Sequence, residues 1–159
     1  MTSTLAVTPP QAPALLEVES HILGRVTLTG DELFEFPQGL YGFAEPHTFA
    51  LLKTPKDGIY WLQSTTSAAL AFLLMDPFTH FPEYAVDITP IDAAILGGDV
   101  PDDTLVLTIV TLSDSSKTAA TRTCTANLRA PLIFNLRTHN AVQSIRPEAP
   151  FSVTEAFAW

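Results

Sequence analysis

The clearest strand of the sequence is Thr104–Leu112, which reads TLVLTIVTL and is rich in β-branched residues. Shorter apolar or alternating stretches lie on both sides of it, and Pro, Gly and Asn turns separate them. The further strands that these patterns predict lie at residues 26–29, 49–52, 59–64, 69–75, 84–88, 123–135 and 141–145, and an extended segment begins at residue 18. Such a series of short strands is typical of an antiparallel barrel or sandwich.

One short helix is predicted at residues 90–96. Thr89 is a favourable N-cap residue, Pro90 suits the first helical position, and Gly97 ends the pattern. Alternating strands and helices are lacking, so a doubly wound parallel sheet is excluded. The predicted class is therefore mainly β: a small antiparallel barrel-like or sandwich domain with one helix.

The chain is divided into three segments by its composition. Residues 1–17 contain three prolines and are predicted to be a flexible leader. Residues 18–148 form the single predicted domain. Residues 149–159 form an apolar tail with Phe151, Phe157 and Trp159, which either pack on the domain or contact a partner.

Composition excludes several classes of protein. The 159 residues include 17 acidic and 8 basic side chains, for a net charge of −9, which excludes a generic nucleic-acid binder and favours a basic partner. No uncharged stretch has the length and apolarity of a membrane-spanning helix, and no secretion signal is present. Cys124 is the lone cysteine, which excludes an intrachain disulfide and fits a reducing compartment.

No residue pattern predicts catalysis, a cofactor or a metal site. Asp76, His80 and Glu83 are close in sequence, but Pro77 and Pro82 prevent one helix from presenting all three on one face. The expected role of Asp76 is to cap a turn. These residues therefore call for neither catalysis nor a cofactor, and an enzyme site without a recognisable motif stays open at this point.

Two loops combine aromatic residues with proline or glycine: FPQGLYGF at residues 36–43 and DPFTHFPEY at residues 76–84. Aromatic side chains on rigid loops either close the end of a barrel or form a contact surface. We assign the first role to Phe36, Phe43 and Phe81, and the second role to Tyr41, Phe78 and Tyr84. Trp61 lies in a predicted strand and is assigned to the core.

These loops belong to an ordered set of motifs in which the sequence resembles the FliW flagellar assembly factors. The motifs are FPQGLYGF at 36–43, WLQS at 61–64, DPF at 76–78, FPEY at 81–84 and TANLRAPL at 125–132, followed by Asn135. The resemblance covers about residues 20–146. The leader, a loop near residues 113–123 and the segment 147–159 depart from the family pattern.

The resemblance implies a bacterial cytoplasmic protein with a small β-barrel-like fold and no enzymatic activity. It implies two competing protein partners, flagellin and the basic RNA-binding translational regulator CsrA, so that flagellin synthesis follows assembly. No contact with nucleic acid or membrane is expected, and the chain is predicted to be a monomer.

Partner contacts are assigned to three aromatic residues and the acids near them. The six residues are Glu35, Tyr41, Phe78, Glu83, Tyr84 and Asp87, and the acidic face also includes Glu17, Glu19, Asp31 and Glu32. Architectural roles are assigned to Phe36, Pro37, Gly39, Gly42, Phe43, Trp61, Gln63, Asp76, Pro77, Phe81, Pro82, Asn127, Pro131 and Asn135. Two alternatives remain: a ligand-binding or enzymatic barrel that uses the aromatic loops, and a subunit that self-associates through its tail.

Overall fold

A computed structural model describes residues 15–43, 45, 47–98, 101–112 and 123–158. The strands in these residues are β1 Leu16–Ser20, β2 Gly24–Leu28, β3 Leu33–Glu35, β4 Thr48–Lys53, β5 Ile59–Ser64, β6 Ala71–Met75, β7 Thr104–Leu112, β8 Thr123–Ala126, β9 Leu132–Asn135, β10 Ala141–Gln143 and β11 Glu155–Ala158. The helices are α1 Pro77–His80, α2 Pro90–Leu96 and a 3₁₀ turn at Pro101–Asp103. No helix in these residues is long and apolar enough to cross a membrane.

The main sheet is antiparallel and runs in the order β10-β9-β7-β6-β5-β4-β3. Strand β7 pairs with β6 along one edge and divides its other edge between β9 and β8. Strand β8 also pairs with β11, while β1 and β2 form a separate hairpin. The two ends of the main sheet meet at a single bridge between Glu35 and Asn140. The sheet is therefore curled like a barrel, but no strand ladder closes it.

The seven strands from β3 to β10 along this order enclose one apolar interior. Its buried side chains are Phe34, Phe36, Leu40, Phe49, Leu51, Leu62, Leu74, Leu107, Leu132, Phe134 and Ala141. Successive residues of a strand point to opposite faces, so each strand contributes every second residue.

Four segments cover the outer face. The β1–β2 hairpin packs Val18 and Leu28 on Ala50, and α2 packs Leu96 on Ile133. Residues 81–86 and the C-terminal segment cover the strands between them. Because both faces of most strands are buried, their sequences are continuous apolar runs rather than alternating ones.

The predicted mainly-β class and the helix at residues 90–96 are confirmed. The Thr89 hydroxyl accepts a hydrogen bond from the Asp92 N–H at 3.1 Å, and Gly97 ends α2 with a φ of 93°. Helix α1 was not predicted. It forms because Asp76 Oδ1 accepts a hydrogen bond from the Phe78 N–H at 2.9 Å and Pro77 fits the first turn.

Two predicted strands are wrong. Residues 84–88 form no strand, because Tyr84 and Val86 turn onto the outer face of the sheet instead of pairing. The stretch 123–135 is two strands separated by residues 127–131. The break arises because β8 and β9 pair with different parts of the same edge of β7.

Paired strands lie beyond the predicted domain limits of residues 18 and 148 at both ends. Strand β1 begins at Leu16, inside the predicted leader, whose residues 1–14 lie outside the described part of the chain. In the predicted tail, Phe157 of β11 lies opposite Cys124, and Phe151 packs on the same outer-face cluster. Both phenylalanines therefore contact the domain. Trp159 and the predicted polar loop at 113–121 also lie outside the described residues.

Candidate partner-binding surface

The loop of residues 36–43 is held by the core at its start and closed by its own backbone at its end. Phe36 is fully buried, and its ring packs edge-to-face on Phe49 and Phe134 at centroid distances of 5.4 and 5.7 Å. The backbones of Leu40 and Phe43 exchange hydrogen bonds of 3.1 and 2.7 Å. These contacts make the end of the loop a tight turn.

Tyr41 lies at the tip of this turn with its side chain exposed. Its relative exposure is 80%, and its backbone N–H donates to Gln143 Oε1 at 2.7 Å. Gly39 and Gly42 have φ values of 66° and 83°, in the region that other residues rarely adopt. The loop therefore presents one aromatic side chain to solvent on a constrained backbone.

Of the three residues assigned to closing the barrel end, Phe36 alone enters the interior. Phe43 is 40% exposed, with its ring 5.5 Å from that of Phe72. Phe81 packs on the outer face, where its ring meets that of Phe157. Neither Phe43 nor Phe81 belongs to the apolar cluster enclosed by the sheet, although Phe43 contacts Phe72, which packs on that cluster.

His47 holds the start of this loop through hydrogen bonds to Phe36. Its Nδ1 lies 2.8 Å from the Phe36 carbonyl oxygen, and its own carbonyl accepts a hydrogen bond from the Phe36 N–H at 2.7 Å. Its Nε2 lies 3.1 Å from Glu45 Oε1. The hydrogen bond to the Phe36 carbonyl, with the charge of Glu45, raises the pKa of His47 above its ordinary value.

This raised pKa predicts a pH-dependent stability. The pKa of His47 in the folded chain lies above its unfolded value of about 6.5. Protonation of His47 therefore stabilises the folded state fully below about pH 6.5, and this stabilisation is lost as the pH rises through the folded pKa. We expect the free energy of unfolding to decline above about pH 6.5 more steeply in the native chain than in His47→Gln. Urea unfolding at a series of pH values measures this slope. His21→Gln, at an exposed histidine, is the control and should keep the native slope.

An apolar groove of about 780 Å³ lies between the β1–β2 hairpin and the curled sheet. Its lining residues are Leu23, Val26, Asp31, Glu32, Phe34, Leu51, Leu52, Lys53, Tyr60, Leu105 and Leu136. Leu23 and Leu136 are 42% and 48% exposed at its surface. The groove is thus an accessible apolar surface of the size that binding sites have.

Asp31 and Glu32 line this groove, and Glu35 lies nearby at the end of β3; we name these three residues the acidic rim. Asp31 and Glu35 are exposed, and Glu35 Oε2 accepts a hydrogen bond from the Thr48 hydroxyl at 2.7 Å. Desolvation opposes ionisation of Glu32. The hydrogen bonds that Glu32 accepts, including two of 3.1 Å from Thr29, outweigh that effect and lower the pKa of its carboxyl. The acidic rim therefore carries negative charge at neutral pH.

The predicted surface position of Tyr84 is wrong. Its side chain is 4% exposed, and its hydroxyl donates to the Leu128 carbonyl oxygen at 2.9 Å. Burial raises the pKa of Tyr84 to about 12, an effect that the charge of Arg146 partly offsets. The rings of Phe78 and Phe151 lie 5.7 and 4.8 Å from it. Tyr84 therefore joins the second aromatic loop to the C-terminal segment and is not available to a partner.

The remaining predicted contact residues lie on two different parts of the domain. Phe78 is 46% exposed on α1, and Glu83 and Asp87 are exposed in the segment that follows. Glu35 instead precedes the loop of residues 36–43, and Tyr41 lies at the tip of that loop, whose Phe36 and Leu40 pack into the interior. The six predicted residues therefore do not form one continuous patch.

Several residues assigned architectural roles donate or accept side-chain hydrogen bonds to backbone groups of turns and of neighbouring segments. Gln63 Nε2 donates to the carbonyls of Ser64, Ser67 and Leu70. Asn135 Nδ2 donates to the Leu96 carbonyl at 2.8 Å. Trp61 is half-buried on the outer face. Of the prolines, Pro77 and Pro131 are buried, whereas Pro37 and Pro82 are exposed. Asn127 Oδ1 accepts a hydrogen bond from the Arg129 N–H at 3.2 Å.

The groove and His47 were not predicted from the sequence. The apolar walls of the groove come from segments as distant as Leu23, Leu105 and Leu136, and each of these residues is ordinary in its own segment. No motif around His47 indicates its hydrogen-bond partner, because Phe36 is eleven residues away in the sequence. Pairing of β3 with β4 brings these two residues together.

Comparison with known proteins places these features in a family. The family model described as FliW protein matches residues 17–157. The chain belongs to the FliW family. The flagellar assembly factor FliW of Treponema denticola is 33% identical over 130 residues, which cover 82% of this chain and 85% of that protein. That of Bacillus subtilis is 31% identical over 130 residues, which cover 81% and 87%.

The fold also agrees with a solved FliW structure. A crystal structure of the flagellar assembly factor FliW superposes with a TM-score of 0.75 at 27% identity, covering 87% of this chain and 94% of that one. The FliW match reaches from β1 into β11, further than the motifs at residues 20–146 indicated. The predicted departure of residues 147–159 from the family is therefore wrong as far as residue 157.

Proposed function

We propose that this FliW-family protein binds flagellin and antagonises CsrA by direct protein–protein binding in the bacterial cytoplasm, without catalysing a reaction. Competition between the two partners would couple flagellin synthesis to flagellar assembly. Membership of the FliW family and the names of its relatives as flagellar assembly factors support this role.

The acidic rim beside the apolar groove is the observation that carries the CsrA proposal. Asp31 and Glu32 line the groove, and Glu35 extends the negative charge along β3. A basic RNA-binding protein complements this surface, and such charge steers association as well as orienting the complex. Glu19, on the adjacent hairpin, is already paired with Arg25 at 3.0 Å and is a weaker candidate for the contact.

The exposed aromatic residues support the flagellin proposal. Tyr41 and Phe43 lie on one constrained turn, and Phe78 lies on α1. Aromatic side chains that are exposed on a rigid backbone bind apolar surface at a small cost in conformational entropy. A flagellin subunit would bury its apolar assembly surface only after assembly. A protein that binds flagellin would shield that surface from water before assembly.

Calorimetric titration tests both partners. The protein is titrated into CsrA from the same organism at about 0.05 M and about 0.5 M salt, across which the screening length shortens markedly. We expect the affinity for CsrA to fall at least about tenfold at the higher salt, and bound flagellin to abolish the heat of CsrA binding. CsrA binding that is unaffected by either salt or flagellin would refute the competing, charge-driven mechanism.

The alternative of a ligand-binding barrel places its ligand in the groove, whose wall includes Phe34 and Leu51 of the apolar interior. The groove volume of about 780 Å³ is the observation in its favour. A ligand that binds the folded state raises the melting temperature. A thermal-shift screen of metabolites that produces no change would remove this alternative.

A further inference from the structure

Two arginines on the C-terminal side of the domain have buried N–H groups without an acceptor among the described residues. Arg129 Nε and Arg146 Nη2 are both buried, and neither donates a hydrogen bond to any part of the chain that the structure describes. A buried donor left unpaired destabilises a protein by about 1–3 kcal/mol, and more when it is charged. Such groups are rare in native proteins and call for a specific explanation.

The two arginines lie directly opposite each other. The pairing of β9 with β10 continues beyond the strands, because the Ser144 N–H donates to the Pro131 carbonyl and the Arg146 N–H donates to the Arg129 carbonyl, at 2.9 and 2.8 Å. Opposite residues in an antiparallel pair have neighbouring Cβ atoms, and like charges there repel. An anion that accepts hydrogen bonds from both side chains would reverse this repulsion.

The acidic side chains of the described residues do not supply that anion. Arg25 and Arg137 each form an ion pair, with Glu19 and Asp103. For Arg146, the connection to a carboxylate is indirect: its Nε donates to the Ser144 hydroxyl at 3.2 Å, and that hydroxyl donates to Asp92 Oδ2 at 2.7 Å.

The charge of this region is the opposite of that of the acidic rim. Residues 123–147 contain three arginines and no Asp or Glu, whereas residues 15–112 contain fourteen acidic and three basic residues. Residues 123–147 are therefore a locally basic segment of a strongly acidic chain.

Arg129 also lines a small apolar cleft beneath Tyr41. The cleft has a volume of about 230 Å³, and its other lining residues are Asn127, Ala130, Gln143, Ile145, Pro147 and Val153. This volume is below the range of about 300–1,000 Å³ that small-molecule sites occupy. It suits one apolar side chain of a protein segment better than a free metabolite.

The geometry points to a docking site for an acidic partner segment at the cleft beneath Tyr41. The segment would place an Asp or Glu carboxylate on the Arg129–Arg146 pair and an adjacent branched aliphatic side chain against Ile145 and Val153. Guanidinium groups bind carboxylates through parallel hydrogen bonds, which satisfies the buried donors. This site does not depend on the proposed function, because its charge is opposite to that of the acidic rim.

Nuclear magnetic resonance with two capped peptides tests the site. The probes are acetylated and amidated Gly-Leu-Glu-Leu-Gly and its neutral counterpart Gly-Leu-Gln-Leu-Gly. We expect the Glu peptide to shift the Arg129 Nε–Hε signal and the Ile145 and Val153 amides, and to bind about tenfold more tightly than the Gln peptide. Equal binding of both peptides, shifts located elsewhere, or no shift with either would overturn the proposal.

Two variants distinguish the role of the Arg129–Arg146 pair in peptide binding from the effect of removing any positive charge. R129Q should abolish the preference for the Glu peptide, whereas R137Q, at an exposed arginine paired with Asp103, should retain it. If R129Q does not fold, the comparison of the two peptides on the native chain still decides the question. Sedimentation of the native chain without peptide should show a monomer. A dimer whose interface covers Arg129 and the cleft would overturn the proposal, because the occupant would then be a second copy of this chain.

Discussion

Replacement of Phe36 by alanine is expected to lower the free energy of unfolding by about 3–5 kcal/mol, as for other large buried aromatic residues. The side chain is fully buried, and its ring contacts those of Phe49 and Phe134. It also begins the loop that presents Tyr41. Urea unfolding, monitored by the fluorescence of the two tryptophans, measures the loss.

Phe43→Ala is the matched control, because the same motif supplies both residues. Phe43 is 40% exposed, and its ring contacts that of Phe72. We expect this variant to lose about 1 kcal/mol, since less apolar surface is withdrawn from water. Equal losses in the two variants would show that Phe36 does not fill the interior as described.

Asn135→Ala is expected to lower the free energy of unfolding by about 2–4 kcal/mol, because a fully buried amide connects two chain segments. Its Nδ2 donates to the Leu96 carbonyl at the end of α2, and its Oδ1 accepts from the N–H groups of Arg137 and Thr138 at 2.9 and 3.2 Å. Removal of the amide leaves these buried groups with fewer partners. Chemical denaturation measures the loss.

Asn127→Ala controls for the loss of an amide side chain as such. Asn127 is half-buried, and its Oδ1 accepts a single hydrogen bond, from the Arg129 N–H. We expect a loss of about 1 kcal/mol. A larger loss in Asn127→Ala than in Asn135→Ala would contradict the role given to Asn135.

The elements that could be predicted from the sequence are those whose residue pattern begins and ends where the strand or helix does. Strand β7 and helix α2 begin and end where the β-branched run and the Thr89 cap indicate. The stretch 84–88 alternates like a strand, yet Tyr84 packs its ring on Phe151, sixty-seven residues away. Local periodicity cannot distinguish a covering segment from a paired strand, because both have an apolar side.

The break between β8 and β9 shows the same limitation. The sequence 123–135 predicts one strand with an edge or a bulge at Pro131, whereas the observed division into two strands follows from the two partners that β7 offers along one edge. The candidate site was predictable only in part. Tyr41 is exposed as the Pro- and Gly-rich loop indicated, whereas the groove and the arginine pair are formed by residues that pairing alone brings together.

The affinity for CsrA of a variant with a neutralised acidic rim is the most direct test of the proposed function. The variant Asp31→Asn/Glu35→Gln removes two exposed charges beside the groove, and the control Asp102→Asn/Glu148→Gln removes two exposed charges elsewhere, so the net charge is the same. We expect the rim variant to bind CsrA at least about tenfold more weakly than the control, mainly through a slower association rate. Equal affinities of the two variants would contradict the assignment of CsrA to the acidic rim.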